Sequence, residues 1–343
     1  MLNEYLLDET LAFYIDIDRL SNTASKQAIE LLRKMQLELL GYLSSSDLTQ
    51  QYGGEARIKQ QLAEANAVIN RYYRQVGDQN QADMTEVSKI TASETAQALA
   101  TATGQQITAG LLPPNSVLEA IANEAVVLGA PLKDWWAKQA IDTSFKYQSA
   151  IRQGIVNGET LGQIISRVKQ QFDVTDRNAE TLVRTSFISV SNSAREATYQ
   201  ENADIIKSME WVAALDLRTC PRCAERDNKQ WTLDHKPIDS SIPYETLPLH
   251  PNCRCAYVAV TKTPEELGID VGNLPPRQRA SATGLTEDKS FKDWLKRQPA
   301  DNVSEVLGKG TTELWLSGKI TWEQMFKRGN PLTLADLKAK YTN

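Results

Sequence analysis

The chain has 343 residues, 41% of them hydrophobic and 24% charged, with a formal net charge of −5. These are the proportions of a soluble globular protein with room for two or three domains. They exclude a chain that is basic throughout, as a general nucleic-acid binder would be, and no apolar run approaches the length of a bilayer span.

The first two hundred residues read as helical. The opening "MLNEYLLDETLAFYIDIDRL" is acidic and lacks the positive n-region and cleavage site of a secretory signal. "SKQAIELLRKMQLELLGYL" places Ile29, Leu32, Met35, Leu39 and Leu40 on one helix face, and Gly41 with the serines after it marks a stop. "EARIKQQLAEANAVINRYYRQV" repeats the spacing with Ile58, Leu62, Ala65, Val68, Ile69 and Tyr72. "ADMTEVSKITASETAQALATAT" predicts a third helix, whose small Ala, Ser and Thr face suits close packing on other helices.

Pro113-Pro114 break the chain, and Asn115 or Ser116 is a cap for a fourth helix. Another helix begins near Pro131 and ends at Gly158. "TLGQIISRVKQQF" and "TDRNAETLVRTSFISVSNSAREATYQEN" follow as two helices, with Thr175 as the expected cap of the second. Ala179, Leu182, Val183, Phe187, Val190, Ala194 and Ala197 mark its buried stripe, while Arg184, Ser191 and Arg195 share another face.

After Asp204 the texture changes. "KSMEWVAALDLRTC" and "AYVAVT" read as strand material, with a Pro-, Asp- and Ser-rich window between them. A loop containing Pro275-Pro276 comes next, then four short helical segments: "SFKDWLKRQP", "NVSEVLG", "GTTELWLSGKITWEQMF" and "TLADLKAKY". Residues 1–70 carry six Lys/Arg against ten Asp/Glu, whereas residues 289–343 carry ten against six. The basic tail is a candidate for touching nucleic acid or an acidic partner, although a solvated helix face is the simpler reading. No repeat of fixed period is present. The expected class is α+β: a mostly helical N-terminal region, a small mixed module with short strands and a Cys/His knuckle, and short helices at the end.

All four cysteines and both histidines fall between Thr219 and Cys255. The pattern is Cys220-x2-Cys223, then His250-x2-Cys253-x-Cys255. Two-residue spacing lets both thiolates of a knuckle face one ion, and tetrahedral Zn²⁺ takes four such ligands at about 2.0–2.3 Å. In the reducing cytoplasm expected for this chain, clustered cysteines suit a metal better than disulfides. Five candidates compete for four places, and either His250 or Cys255 completes the set. Four protein ligands leave no open position for water, so the expected zinc is structural.

Other chemistries find little support. No histidine precedes Cys220, as the His-x-Glu of a zinc deaminase must. The histidines are not four apart, as in a zinc protease. Gly-rich phosphate loops are absent. His235 in "LDHKP" reads as an exposed turn. Asp216 and Asp227 flank the first knuckle; Asp216 is placed to accept from knuckle backbone, or to pair with Arg184 or Arg195.

"RTSFISVSNSAREATYQ", "MEWVAALDLRTCPRCAERDNKQW" and "LPLHPNCRCAYVAV" together resemble the phage head morphogenesis domain of the Mu F-like minor head proteins. The likeness rests on Arg184-Thr185, on Trp211, Asp216, Arg218, Thr219, Cys220 and Cys223, and on His250, Pro251, Cys253, Arg254 and Cys255. The tail from "LGKGTTELWL" onward is similar to a segment found at the end of such proteins. Asp227-Asn228 stands where the family has Asp-Gly, and Asn tolerates the left-handed turn better than most residues.

The resemblance implies a minor capsid protein of a tailed phage, resident in the virion near the portal after assembly in the host cytoplasm. The portal protein is the expected partner, with a scaffold or major capsid protein and DNA as further ones, and no membrane. Residues 1–130 would be the partner-facing helical region, 131–262 the head morphogenesis domain, and 263–343 a linker and tail. Arg184, Arg195 and Asp216 are expected as structural support. The rival from another class is a DNA-processing or nucleotide-modifying enzyme using those same three residues. A second rival is a DNA-binding protein working through the tail.

Overall fold

The computed structural model describes residues 2–45, 54–104, 107–270, 279–281, 284–288 and 290–341. The Pro275-Pro276 stretch of the expected loop lies outside the described residues, and of the helix-face residue Ile58 only the helical backbone is described. Helices dominate, and strands are short and confined to small sheets, the expected α+β arrangement. Among the described residues five helices precede the four-stranded sheet: α1 (Leu2–Ser45), α2 (Gly54–Ala102), α3 (Asn115–Asn123), α4 (Leu132–Val156) and α5 (Leu161–Glu201).

Two expected breaks are missing. The second and third predicted helices are one 49-residue helix, α2. The stretch between them is polar but has no proline, and its Gly77 lies under the Trp136 indole, 3.5 Å from where a Cβ would stand. "DVT" likewise fails to interrupt α5. Thr175 is buried and donates its hydroxyl to the Gln171 carbonyl at 3.3 Å, a bond made inside a helix and not at its start. A polar segment with no proline costs a helix only tenths of a kcal/mol per residue, about what packed flanks easily override. At α3 the Pro114 carbonyl accepts from Val117 and Leu118, and Asn115 is already helical. α4 closes as expected, with Gly158 left-handed at φ 65°.

The chain divides into two compact units, each discontinuous in sequence: Ile17–Val87 with Glu119–Val190, and Met1–Asp16 with Ser88–Leu118 and Ser191–Asn343. The first is built from helices and one two-residue ribbon, Val126–Val127 with Ala130–Pro131. Leu32, Met35 and Leu39 of α1 are buried, as are Ile69, Tyr73 and Val76 of α2, and Ala179 and Val183 of α5. Two buried polar pairs cross it: Trp136 Nε1 donates to Asn80 Oδ1 at 3.1 Å, and the Tyr73 and Thr143 hydroxyls meet at 2.8 Å.

In the second unit the small face of α2 does what its composition predicts. Ala92, Ala96 and Leu99 are buried, and Thr91 Oγ1 lies 3.3 Å from Ser191 Oγ of α5. Beside them is a four-stranded antiparallel sheet of β1 (Ile206–Val212), β2 (Gln230–Trp231), β3 (Pro237–Ile238) and β4 (Ala256–Thr261), in the order β3-β2-β1-β4. Trp211 pairs with Tyr257 across β1 and β4, and Met209 with Trp231 across β1 and β2. Such runs of buried residues on both faces explain why the strands lack simple alternation.

The tail is folded. α6 (Pro221–Arg226) and α7 (Pro264–Leu267) flank the sheet; then come α8 (Phe291–Lys296), α9 (Ala300–Leu307), α10 (Lys309–Leu316) and α11 (Leu334–Tyr341). The expected helix over "GTTELWLSGKITWEQMF" stops at Leu316, because Gly318 turns left-handed at φ 74°. Phe291, Trp294, Trp315, Trp322 and Met325 form a second core with Leu215, ahead of the Thr219–Cys255 stretch, and Ala224 within it.

Candidate metal centre

The first arm of the centre is made by local turns. Asp216 Oδ1 accepts the Arg218 N–H at 2.8 Å, and the Thr219 hydroxyl donates to the Ala214 carbonyl at 2.6 Å. That turn delivers Cys220 to the N-cap of α6, with Pro221 at the first helical position. Cys223 follows one turn later and is 1% exposed. α6 therefore works on two sides: Cys223 faces the sheet core and Ala224 the tail core. Asn228 closes the knuckle at φ 63°, donating to the Trp211 carbonyl at 2.8 Å, so the Asp-Asn turn takes the left-handed form that Gly would.

The second arm is the turn His250-Pro251-Asn252-Cys253. Cys253 N–H reaches the His250 carbonyl at 3.1 Å, and Asn252 sits at φ 56°. Proline second and a left-handed residue third is the signature of a type II turn. Cys255 then leads directly into β4.

The two arms bring all five predicted donors together. Cys220, Cys223 and His250 lie within 4.8 Å of one another, as do Cys223, Cys253 and Cys255; Cys223 belongs to both groups. Cys223 Sγ is 3.3 Å from His250 Nε2 and 3.9 Å from Cys253 Sγ. His250 Nδ1 is 2.9 Å from the Pro251 carbonyl. The cysteines are free thiols.

The donors share protons unevenly. Cys220 is brought down to about 4, first by its hydrogen bond with Cys223 and, against burial, by His250. His250 is raised to about 10, first by Cys220 and then by Cys253. Cys223 is pushed up by the same bond that lowers Cys220, whereas Cys253 is drawn down, first by Cys223 and then by Cys255. Burial raises Cys255.

The expected supporting residues stand apart from one another in role. Asp216 forms a two-pronged pair with the Arg254 guanidinium, one oxygen at 2.6 Å, and not with Arg184 or Arg195. Burial opposes its charge, yet Arg254 and the turn hold it below the usual carboxylate range. Arg184 is engaged by Asp18 at 2.8 Å and Glu180 at 3.2 Å. Arg195 is 1% exposed, with Nη1 3.3 Å from Asn192 Oδ1.

Sequence reasoning named Asp227 only as flanking the knuckle and passed over Arg226 and Glu196. Asp227 is a buried nexus: it takes the Ala213 N–H at 2.7 Å, the Phe291 N–H at 2.6 Å and the Arg279 guanidinium at 2.8 Å. Arg226 is fully buried and donates to Gly329 of the tail at 2.7 Å and to Glu245 at 2.6 Å. Gly329 is at φ 78°, and a Cβ there would press to 2.8 Å from that guanidinium, so only glycine fits. The third is Glu196 of α5, where the loop between the arms docks.

His235 is an exposed turn residue at φ 64°, as expected, but it stacks on Tyr244 at 3.7 Å and bonds Glu196. Tyr244 donates to Glu196 at 2.7 Å, and Gln200 to the Leu233 carbonyl at 2.9 Å. Glu196→Ala should free the loop at a cost of about 1.5–3 kcal/mol, the worth of a charge-assisted bond. Hydrogen exchange of residues 232–249 should speed up accordingly; exchange identical to the parent's would show that the loop is held elsewhere.

Residues 146–258 match the family described as Phage Mu protein F like protein, a span holding all five donors and Arg184, Arg195 and Asp216. An uncharacterised protein of Haemophilus influenzae is 24% identical over 167 residues, which cover 49% of this chain and 34% of that one. Minor head protein GP7 of Bacillus phage SPP1 is 26% identical over 175 residues, covering 48% of this chain and 54% of its own length. The chain thus spans about a third of the first relative and about half of the second. No solved structure matches.

Proposed function

We propose that this chain, a head morphogenesis protein of the phage Mu F-like family through residues 146–258, is a minor head protein of a tailed bacteriophage, held in shape by zinc. It binds the portal and joins the head during assembly in the host cytoplasm, with a scaffold or the major capsid protein and DNA as further contacts. Residues 1–130 serve as the partner-facing region, 131–262 as the stapled head module, and 263–343 as the segment that closes on it. No helix among the described residues is long and apolar enough to cross a membrane.

The donor set carries the zinc reading. With bonds near 2.3 Å, the edge of a tetrahedral thiolate site is about 3.8 Å, and Cys223 and Cys253 are 3.9 Å apart. Cys220, Cys223, Cys253 and His250 make the best four. His250 giving its Nδ1–H to the Pro251 carbonyl leaves Nε2 for the metal, the usual second-sphere arrangement. Cys255 then packs behind them as a buried thiol. Zinc here joins the Asp216–Cys223 arm to the His250–Cys255 arm, so its binding energy is folding energy for the module.

Metal analysis of the purified protein should find one zinc per chain, and immobilised protein should retain its portal partner. A chain without metal removes the zinc; a chain that ignores the portal removes the partner. Weighing against the enzyme reading, Arg184 is spent on Asp18 and Glu180, Asp216 on Arg254, and Arg195 is buried. For DNA binding by the tail, the supporting result would be affinity that falls steeply with salt; Lys292 and Arg297 are already paired, with Glu323 and Asp288.

A further inference from the structure

We propose that the outer side of α4 is an interface through which a second copy of this chain pairs with the first. One side of α4 is core: Trp136, Ala140, Thr143, Tyr147 and Ala150 are buried. The other side carries Ala137, Ile141 and Phe145 at four-residue spacing, which makes one ridge along the helix. Ile141 is 67% exposed and Phe145 71%. Large apolar side chains adjoining on one ridge in water mark an association surface. Ala137, at the end of that ridge, also lines a cavity of about 740 Å³ between α2 and α4, together with Tyr73, Gly77, Trp136 and Ala140. All of this lies within the helical unit, Ile17–Val87 with Glu119–Val190. A single helix thus presents a projection at Phe145 and a recess at Ala137, about 12 Å apart at 1.5 Å per residue.

Shape and charge both point to a second copy as the occupant. Helices that interlock ridges of four-residue spacing cross at about 50°. With a two-fold axis beside Ile141, Ile141 meets its own copy, and Phe145 of each chain lies against Ala137 of the other, at the mouth of the cavity. Each contact is then made twice, the condition for a pair that closes on itself. The next row along α4 is Asp134, Lys138, Asp142 and Lys146, alternating in sign. Lys138 and Asp142 already pair within the helix and are both exposed. An antiparallel copy sets Lys138 of one chain beside Asp142 of the other, and the reverse. A parallel copy would set like charge against like. A foreign partner would have to bring its own projection and its own charges, whereas this face supplies both halves itself.

Sedimentation velocity of the full chain over a concentration series should show a reversible dimer. Phe145→Asp should raise its dissociation constant about 30-fold or more, the effect of losing a central aromatic anchor. Because Phe145 is in water in the single chain, the variant should keep the parent's fold by circular dichroism. Lys138→Glu and Asp142→Lys should each associate more weakly than the parent. Mixed together they should pair with each other, since every facing charge is opposite again; a variant that had merely lost its fold could not be rescued in this way. A parent that sediments as a monomer throughout the series overturns the proposal. So does a dimer that Phe145→Asp leaves unchanged, or a mixture of the two charge variants that pairs no better than either alone. A monomeric chain whose capture of the portal protein is lost in Phe145→Asp also overturns it, and assigns the face to the portal. The zinc reading plays no part here, so its failure would leave this result standing.

Discussion

Cys223→Ser should abolish zinc binding and melt the module that holds both arms of the centre. Cys223 is the donor common to both close groups, so its loss breaks the site whether His250 or Cys255 is the remaining ligand. It is also 1% exposed, inside the sheet core, where no outside ligand can replace it. With free zinc held about a thousandfold above the parent's dissociation constant, the lost linkage is about 4 kcal/mol. Denaturant unfolding with zinc present should show that loss, and chelator should bring the parent down to the variant. Full zinc occupancy in the variant together with a parental melting temperature would end the structural-zinc account.

Asp227→Asn is expected to be nearly as damaging without touching a donor. Both Asp227 oxygens are in use: Oδ1 takes the Ala213 N–H and Arg279 Nη2, and Oδ2 takes the Phe291 N–H at 2.6 Å and Arg279 Nη1 at 3.1 Å. The pair is closed off from water, with side chains 5% and 2% exposed. An amide turns an N–H₂ towards one set of donors and leaves the guanidinium without its charge, a loss of about 3–5 kcal/mol. Because Phe291 begins α8, limited proteolysis should release fragments from 290–341 earlier than in the parent. Asp227→Asn with Arg279→Met should regain part of the stability, since the stranded cation is then gone. A single variant as stable as the parent would show that the carboxylate's charge is not what joins these segments.

The centre was legible because its geometry is local. Two-residue spacing, a proline after Cys220 and a Pro-Asn pair inside the second turn dictate the path of the backbone over a few residues, and the structure follows it. The stripe on α5 was legible for the same reason: Ala179, Leu182, Val183, Phe187, Val190 and Ala194 are buried and only Ala197 is half-exposed. Helix breaks without proline were not, the one at Gly77 included. The polar joints of α2 and α5 carry weak local signals, and packing on both flanks carried the helices through them.

Sequence by itself determined the helical character, the short-strand module and that the cysteines and His250 gather in one cluster, because each follows from periodicity or from spacing within a turn. Only the tertiary structure decided which charges meet. Arg279 finds Asp227 across 52 residues, Arg254 finds Asp216 across 38, and Arg226 reaches Gly329 across 103. Burial makes those partners obligatory, since an unpaired charge in the core is costly. Nothing in the spacing of the chain, however, announces a contact that exists only after distant segments have packed.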